Sequence, residues 1–205
     1  MENKLTLRDV CKKIWYEFLD MLAGAAFPFM LMLILGATVI GFVAYNGKDD
    51  VPLQAVILAV GEIMLIAATV IFGKQNGASA YKKTIFNEGK RAAGSTELKV
   101  LLRTGEYAPY KAAIIGFIAC VPFMLINLIY CITPATWCEF LLSYVFGWAY
   151  YPFNLGKLSP WFNYIAVIPY IAVHVVAYIL GGNTEKKKQE IIDNQDEIPT
   201  KRGKK

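Results

Sequence analysis

The sequence predicts an all-α integral membrane protein with four transmembrane helices, an N-terminal amphipathic helix and an outer interfacial helix or re-entrant segment. Three observations lead there. The 205-residue chain is 56% hydrophobic and 18% charged, whereas soluble domains average roughly 45–50% and about 25%. Four apolar stretches are each long enough to cross about 30 Å of hydrocarbon at ~1.5 Å per residue. The basic residues between those stretches fall almost entirely on one side.

The spans are expected at 22–46, 51–73, 112–133 and 159–181. The first, third and fourth carry no Lys, Arg, Asp or Glu, and the second is interrupted only by Glu62. Lys and Arg number four in 1–20, eight in 74–111 and seven in 183–205, so 19 of the 21 lie on one side of a four-span chain. The positive-inside rule then places both termini and the long loop in the cytoplasm. A fifth span would put the seven basic residues of the tail outside, which disfavours it.

Residues 5–20 repeat apolar positions at helical spacing, through Leu7, Val10, Cys11, Ile14 and Phe18, with charges between them. That pattern predicts an interfacial helix leading into the first span, with Trp15 near the headgroups. No apolar segment with a cleavage site precedes it, so no signal peptide is expected. The segment 138–155 is apolar but short, and it holds Gly147, Trp148, Tyr150, Tyr151 and Pro152. Such aromatics prefer the headgroup layer, which predicts an outer interfacial helix or a re-entrant turn.

The basic cytoplasmic loop 74–111 is too long for a simple turn. Its start reads as an amphipathic continuation of the second helix, and Ser95 is placed to cap a short helix through Val100, Leu101 and Leu102. Lys82, Lys83, Lys90 and Arg91 are expected to contact anionic inner-leaflet lipids, which attract each basic group by ~1 kcal/mol. Trp15 and Trp148 join them as candidate headgroup contacts. The loop carries three acids, Glu88, Glu97 and Glu106, and no stacking pattern, which argues against nucleic acid. The polar tail 183–205 is expected to carry no chemistry.

Glu62 is the sharpest feature. It lies near the middle of the second span, where a carboxylate costs about 2.5–3.5 kcal/mol on insertion scales. Such residues face a bundle interior or water, and an ion, proton or cationic-substrate role follows. A structural reading, in which Glu62 hydrogen-bonds a neighbouring helix, competes with it. Asn127 in the third span and His174 in the fourth are candidate partners on an ion or substrate pathway. Counting residues puts Asn127 nearer the outer face and His174 nearer the inner one. Pro28, Pro122 and Pro169 fall inside spans and predict kinks.

Cys11, Cys120, Cys131 and Cys138 are expected to be free thiols. One His and no cysteine pair at metal spacing argue against a metal site. No phosphate loop or dinucleotide fingerprint appears, and no cofactor or enzyme activity is expected. Gly77-Ala78-Ser79-Ala80 matches the short pattern around an intramembrane protease serine, but it lies in the basic loop, far from His174.

The run Glu106-Tyr107-Ala108-Pro109-Tyr110-Lys111, followed by Gly116 and Pro122, resembles a group of uncharacterised four-helix membrane proteins of Gram-positive bacteria. The likeness covers about half of the chain. It implies the four-span topology and a bacterial inner-membrane location, and it supplies no functional residues. Two function classes remain: a small channel or carrier component with Glu62 on the pathway, acting as a homo-oligomer or within a larger membrane complex, and a non-transporting adaptor or accessory subunit.

Overall fold

A computed structural model describes residues 6–46, 51–154 and 157–196. Residues 47–50 and the end of the basic tail lie outside the described residues. Everything regular among the described residues is helical: α1 (Leu7–Asn46), α2 (Val51–Ala92), α3 (Leu98–Leu101), α4 (Pro109–Ile132), α5 (Thr136–Tyr144), α6 (Gly147–Asn154), a 3-10 segment (Pro160–Ala166) and α7 (Val167–Asp196). Four helical stretches are long and apolar enough to cross a membrane, so the chain is a multi-pass membrane protein. Helices are the natural solution, because hydrocarbon offers a backbone N–H or C=O no partner outside its own segment.

Two spans run well past the bilayer. α1 has 40 residues and α2 has 42, or about 60 Å each at ~1.5 Å per residue, twice the hydrocarbon thickness. The expected interfacial helix at 5–20 is therefore not a separate element, since α1 continues from Leu7 through the span without a break. The loop 74–111 is also mostly helix. α2 continues to Ala92, and α4 starts at Pro109, which sits in the first turn, where its missing N–H is no loss. The connection that remains, 93–108, folds on itself around α3. Val100, Leu102 and Thr104 are buried there, and Thr104 Oγ1 donates to the Lys99 carbonyl at 2.9 Å. Ser95 accepts from the Glu97 N–H at 3.3 Å, one residue before α3 begins.

The packing partners fix the directions. α1 and α2 are antiparallel: Phe27 meets Phe72 at 4.3 Å between ring centroids, the Asn76 amide donates to the Gly24 carbonyl at 3.3 Å, and Lys83 pairs with Asp20 at 2.9 Å. α2 and α7 are parallel. Gly73 lies on Ala177 and the His174 carbonyl, Gly77 on the Tyr178 backbone, the Lys74 backbone on Gly181, and Lys82 pairs with Glu185. α4 and α7 are antiparallel, with Gly116 against Ile171 and the Tyr164 hydroxyl donating to the Met124 carbonyl at 3.0 Å. The N-terminal part of α1, the C-terminal part of α2 and the C-terminal part of α7 thus emerge at one end of the bundle.

Segment 136–154 does not lie flat at the surface. α5 and α6 form a helical hairpin whose turn enters the bundle. Phe146, Trp148, Ala149 and Tyr150 are buried, and Gly36 of α1 is pressed against the Val145 carbonyl. Phe123, nine residues before the end of α4, packs on Phe146 and Trp148, each at 5.6 Å. That depth is about 13 Å below the helix end. The segment is thus a hairpin packed into the bundle and not a single helix along its side.

The prolines differ in consequence. Pro28 and Pro122 lie inside α1 and α4. Pro169 is the third residue of α7 and follows the 3-10 segment, so it opens a helix instead of kinking the middle of one.

The contact between α2 and α7 yields a paired test. A Cβ at position 77 overlaps the Tyr178 backbone, whereas one at position 89 meets nothing within 4 Å. Gly77→Ala should lower unfolding stability in detergent by about 1–3 kcal/mol, the usual cost of overpacking. Gly89→Ala should raise it by up to about 1 kcal/mol through helix propensity alone. Equal effects at the two positions would show that the helices do not meet through Gly77.

Candidate functional site: a mid-span carboxylate cavity and a polar network at the helix ends

Glu62 lies on α2 at the wall of a cavity of about 50 Å³. Leu65, Ile66 and Thr69 follow it at helical spacing and share its face of α2. Ala166, Pro169, Tyr170 and Val173 supply the opposite wall from α7 and the end of the 3-10 segment, and Trp148 of α6 closes the cavity. A second, smaller recess continues from Glu62 toward Leu35 of α1.

Glu62 Oε1 and Trp148 Nε1 in this wall have no hydrogen-bonding partner among the protein groups, and Tyr170 Oη has only the Thr69 hydroxyl beside it. Two of their residues are almost wholly enclosed, Trp148 at 4% exposure and Tyr170 at 6%. Thr69 commits its hydroxyl hydrogen to the Leu65 carbonyl at 2.7 Å, which leaves its oxygen lone pairs as acceptors. Buried polar atoms are nearly always paired, so two orphans and an under-satisfied hydroxyl around one cavity mark it as unusual.

The other two proposed pathway residues lie elsewhere. Asn127 is fully buried beside the 3-10 segment. Its amide donates to the Pro160 carbonyl at 3.2 Å, and its oxygen accepts from Asn163 at 2.9 Å. It ties the end of α4 to the start of the fourth span. His174 is fully enclosed one turn beyond Tyr170, its backbone carbonyl against Gly73, and neither ring nitrogen has a partner. Neither residue lines the Glu62 cavity. The bundle centre between them is filled by Met32, Phe123, Phe146 and Trp148.

A larger cavity, about 160 Å³, opens where the helices emerge. Glu17, Asp20, Asn76, Lys83, Lys111 and Tyr178 are among its lining residues. Lys111 Nζ lies 2.6 Å from Glu17 Oε2 and donates to the Glu106 carbonyl at 2.8 Å. Their side chains are only 8% and 13% exposed. Glu17 Oε1 accepts from the Gly105 N–H at 3.1 Å. Gly105 has φ +71°, and a Cβ there would strike Lys83 and Asp20, so the loop needs glycine at that point. Nearby, Tyr107 stacks on Tyr178 at 5.2 Å and 6°, against Gly182, and its N–H donates to Thr84 at 2.8 Å. Burial pushes the Tyr107 hydroxyl pKa above its ordinary value.

The residues expected at the headgroups stand in different settings. Trp148 is buried in the bundle core and faces no headgroup. Each of the four basic loop residues has a carboxylate partner: Lys82 with Glu185, Lys83 with Asp20, Lys90 with Glu97, and Arg91 with Glu106. Arg91 also donates to the Val100 carbonyl at 3.1 Å. α2 carries these residues as a helix, which sets them against acids on α1, α7 and the 93–108 segment. Trp15 remains exposed, at 58%.

The four cysteines are free. Among the described residues, no three His, Cys, Asp or Glu side chains are grouped to hold a metal ion. Comparison with protein-family models found no match, and neither did comparisons with curated proteins and with solved structures.

Sequence reasoning reached Glu62 and missed the rest of its cavity. The signal for Thr69 was present, since seven residues on is two turns along the same helix face. Tyr170 and Trp148 depend on helix register and on the hairpin's depth, which have no local signature. Glu17 and Lys111 stand far apart in the chain, and no spacing announces them as a pair.

Breaking the inner pair provides a test. Lys111→Met should cost about 3–5 kcal/mol of unfolding stability, because it leaves Glu17 enclosed and unpaired. Adding Glu17→Leu should recover most of that loss. A double variant no more stable than the single one would show that the ion pair is not a coupled unit.

Proposed function

We propose that the protein is a small channel or carrier component of a bacterial plasma membrane, with Glu62 on the pathway. The observation that carries this reading is the carboxylate itself. It stands at mid-span on a cavity wall, and one oxygen is satisfied by no protein group. An ionisable residue kept in hydrocarbon without a structural partner is a functional residue by default. A purely structural Glu62 would be expected to hydrogen-bond a neighbouring helix.

The pathway runs along the α2–α7 flank. Large aromatic side chains fill the bundle axis at the same level. A flank path needs a second wall, which favours a homo-oligomer or a larger membrane complex. The excess of Lys and Arg at one end supports cytoplasmic termini. In the adaptor alternative the basic 74–111 segment and the tail hold a cytosolic or membrane partner. Lys82, Lys83, Lys90 and Arg91 already face carboxylates of this chain, which leaves fewer unpaired cations in that segment for such a partner.

Reconstitution into liposomes tests the proposal. Wild-type protein should pass protons or a monovalent cation down a gradient. Glu62→Gln, incorporated to the same density and equally stable, should reduce that flux to the level of empty vesicles. A Glu62→Gln protein that transports as well as wild type would remove Glu62 from the path.

A further inference from the structure

The unpartnered atoms around Glu62 specify what occupies the cavity. Trp148 Nε1–H is a donor only, and it requires an acceptor. Tyr170 offers one donor and two acceptor lone pairs. Thr69, with its hydrogen committed to Leu65, is an acceptor. Glu62 Oε1 accepts when the group is ionised and can donate when it is neutral. The occupant must therefore both donate and accept within about 50 Å³.

A metal ion meets only part of this demand. It would face the positive end of the Trp148 N–H, and Glu62, Thr69 and Tyr170 offer too few oxygens for a hard divalent cation, which takes six or more. An anion would meet the Glu62 carboxylate. Water donates and accepts equally well, and each molecule needs only about 10–15 Å³, so the cavity of about 50 Å³ accommodates roughly three to five. The neighbouring walls carry no other charge. Tyr170 is the one further titratable group lining the cavity, and the remaining lining side chains are apolar apart from Thr69 and the Trp148 N–H.

We propose that this cavity holds a cluster of water hydrogen-bonded to Glu62, Tyr170 and Trp148, and that the ion exchanged at the site is a proton. The proton half of this inference rests on the transport reading above. The hydrated cavity does not. A proton leaving the Glu62 carboxyl passes to a cluster water and leaves a carboxylate whose negative charge the Tyr170 O–H, the Trp148 N–H and the waters solvate. Uptake reverses the same transfer, and no other bond changes. Enclosed water makes a mid-span carboxylate tolerable and gives its proton somewhere to go.

The full chain in liposomes gives two independent readouts. The first is flux, with proton movement followed by an internal pH-sensitive dye and Na⁺ and K⁺ uptake measured in parallel. The second is infrared difference spectroscopy of water O–H stretching bands, identified by their shift in heavy-oxygen water. Wild type should move protons and neither metal ion, and its water bands should change in both Glu62→Gln and Tyr170→Phe. Tyr170→Phe, which removes only a hydroxyl, should slow proton flux by about tenfold, as expected for one lost hydrogen bond. Trp148→Phe should act in the same direction, and Tyr170→Phe serves alone if that variant does not fold. Na⁺ or K⁺ flux without proton flux would overturn the proton assignment while leaving transport intact. Water bands that respond to Glu62, with no flux of any ion, would uphold the hydrated cavity and overturn the transport reading. Water bands indifferent to Glu62 and Tyr170 would overturn the cluster.

Discussion

The close parallel contact between α2 and α7 sets the rest of the structure. Gly73 and Gly77 on one helix and Gly181 on the other remove the side chains that would hold the backbones apart. Association in a bilayer has no hydrophobic driving force, so small residues that let backbones approach supply much of the attraction. The register that results places Glu62 opposite Tyr170 and Lys82 opposite Glu185. Because the two helices run the same way, the chain must cross between them once more, and α4 is that crossing.

The remaining interior is closed by an element that does not cross. The α5–α6 hairpin brings Phe146 and Trp148 into the space between α1, α4 and α7, against Phe123. Aromatic side chains bury large areas and pack edge-on, which suits the wide gap at the outer end of a four-helix bundle. Trp148 ends the hairpin's descent and also walls the Glu62 cavity. The same side chain therefore seals the bundle axis and leaves the flank as the place where a polar group can be reached.

The spans were legible in the sequence because each is a long run without charge, and hydrocarbon imposes that length on any crossing helix. Charge counting then decided between four spans and five. Residues 7–20 and the start of the 74–111 segment were legible as amphipathic helix, because apolar side chains recur there at helical spacing between charges. What resisted reading was how far each helix runs without a break. The hairpin was ambiguous for a different reason. Gly147, Trp148, Tyr150 and Tyr151 suit a headgroup layer and an aromatic core equally well, and composition does not separate the two. Of the candidate pathway residues, Glu62 announced itself by cost. Asn127 and His174 are polar in the same way, yet Asn127 serves as a tie between two elements.

The paired charges at the emerging helix ends bear on how the chain is made. Lys82, Lys83, Lys90 and Arg91 belong to the positive excess at the end where the helices emerge, on a helix that is synthesised before α7. Lys82 meets Glu185 only after the fourth span is in place, and Arg91 meets Glu106 only once the 93–108 segment has folded. Lys82 and Arg91 thus gain these carboxylates late, and the last elements made fasten cations that an earlier one carries.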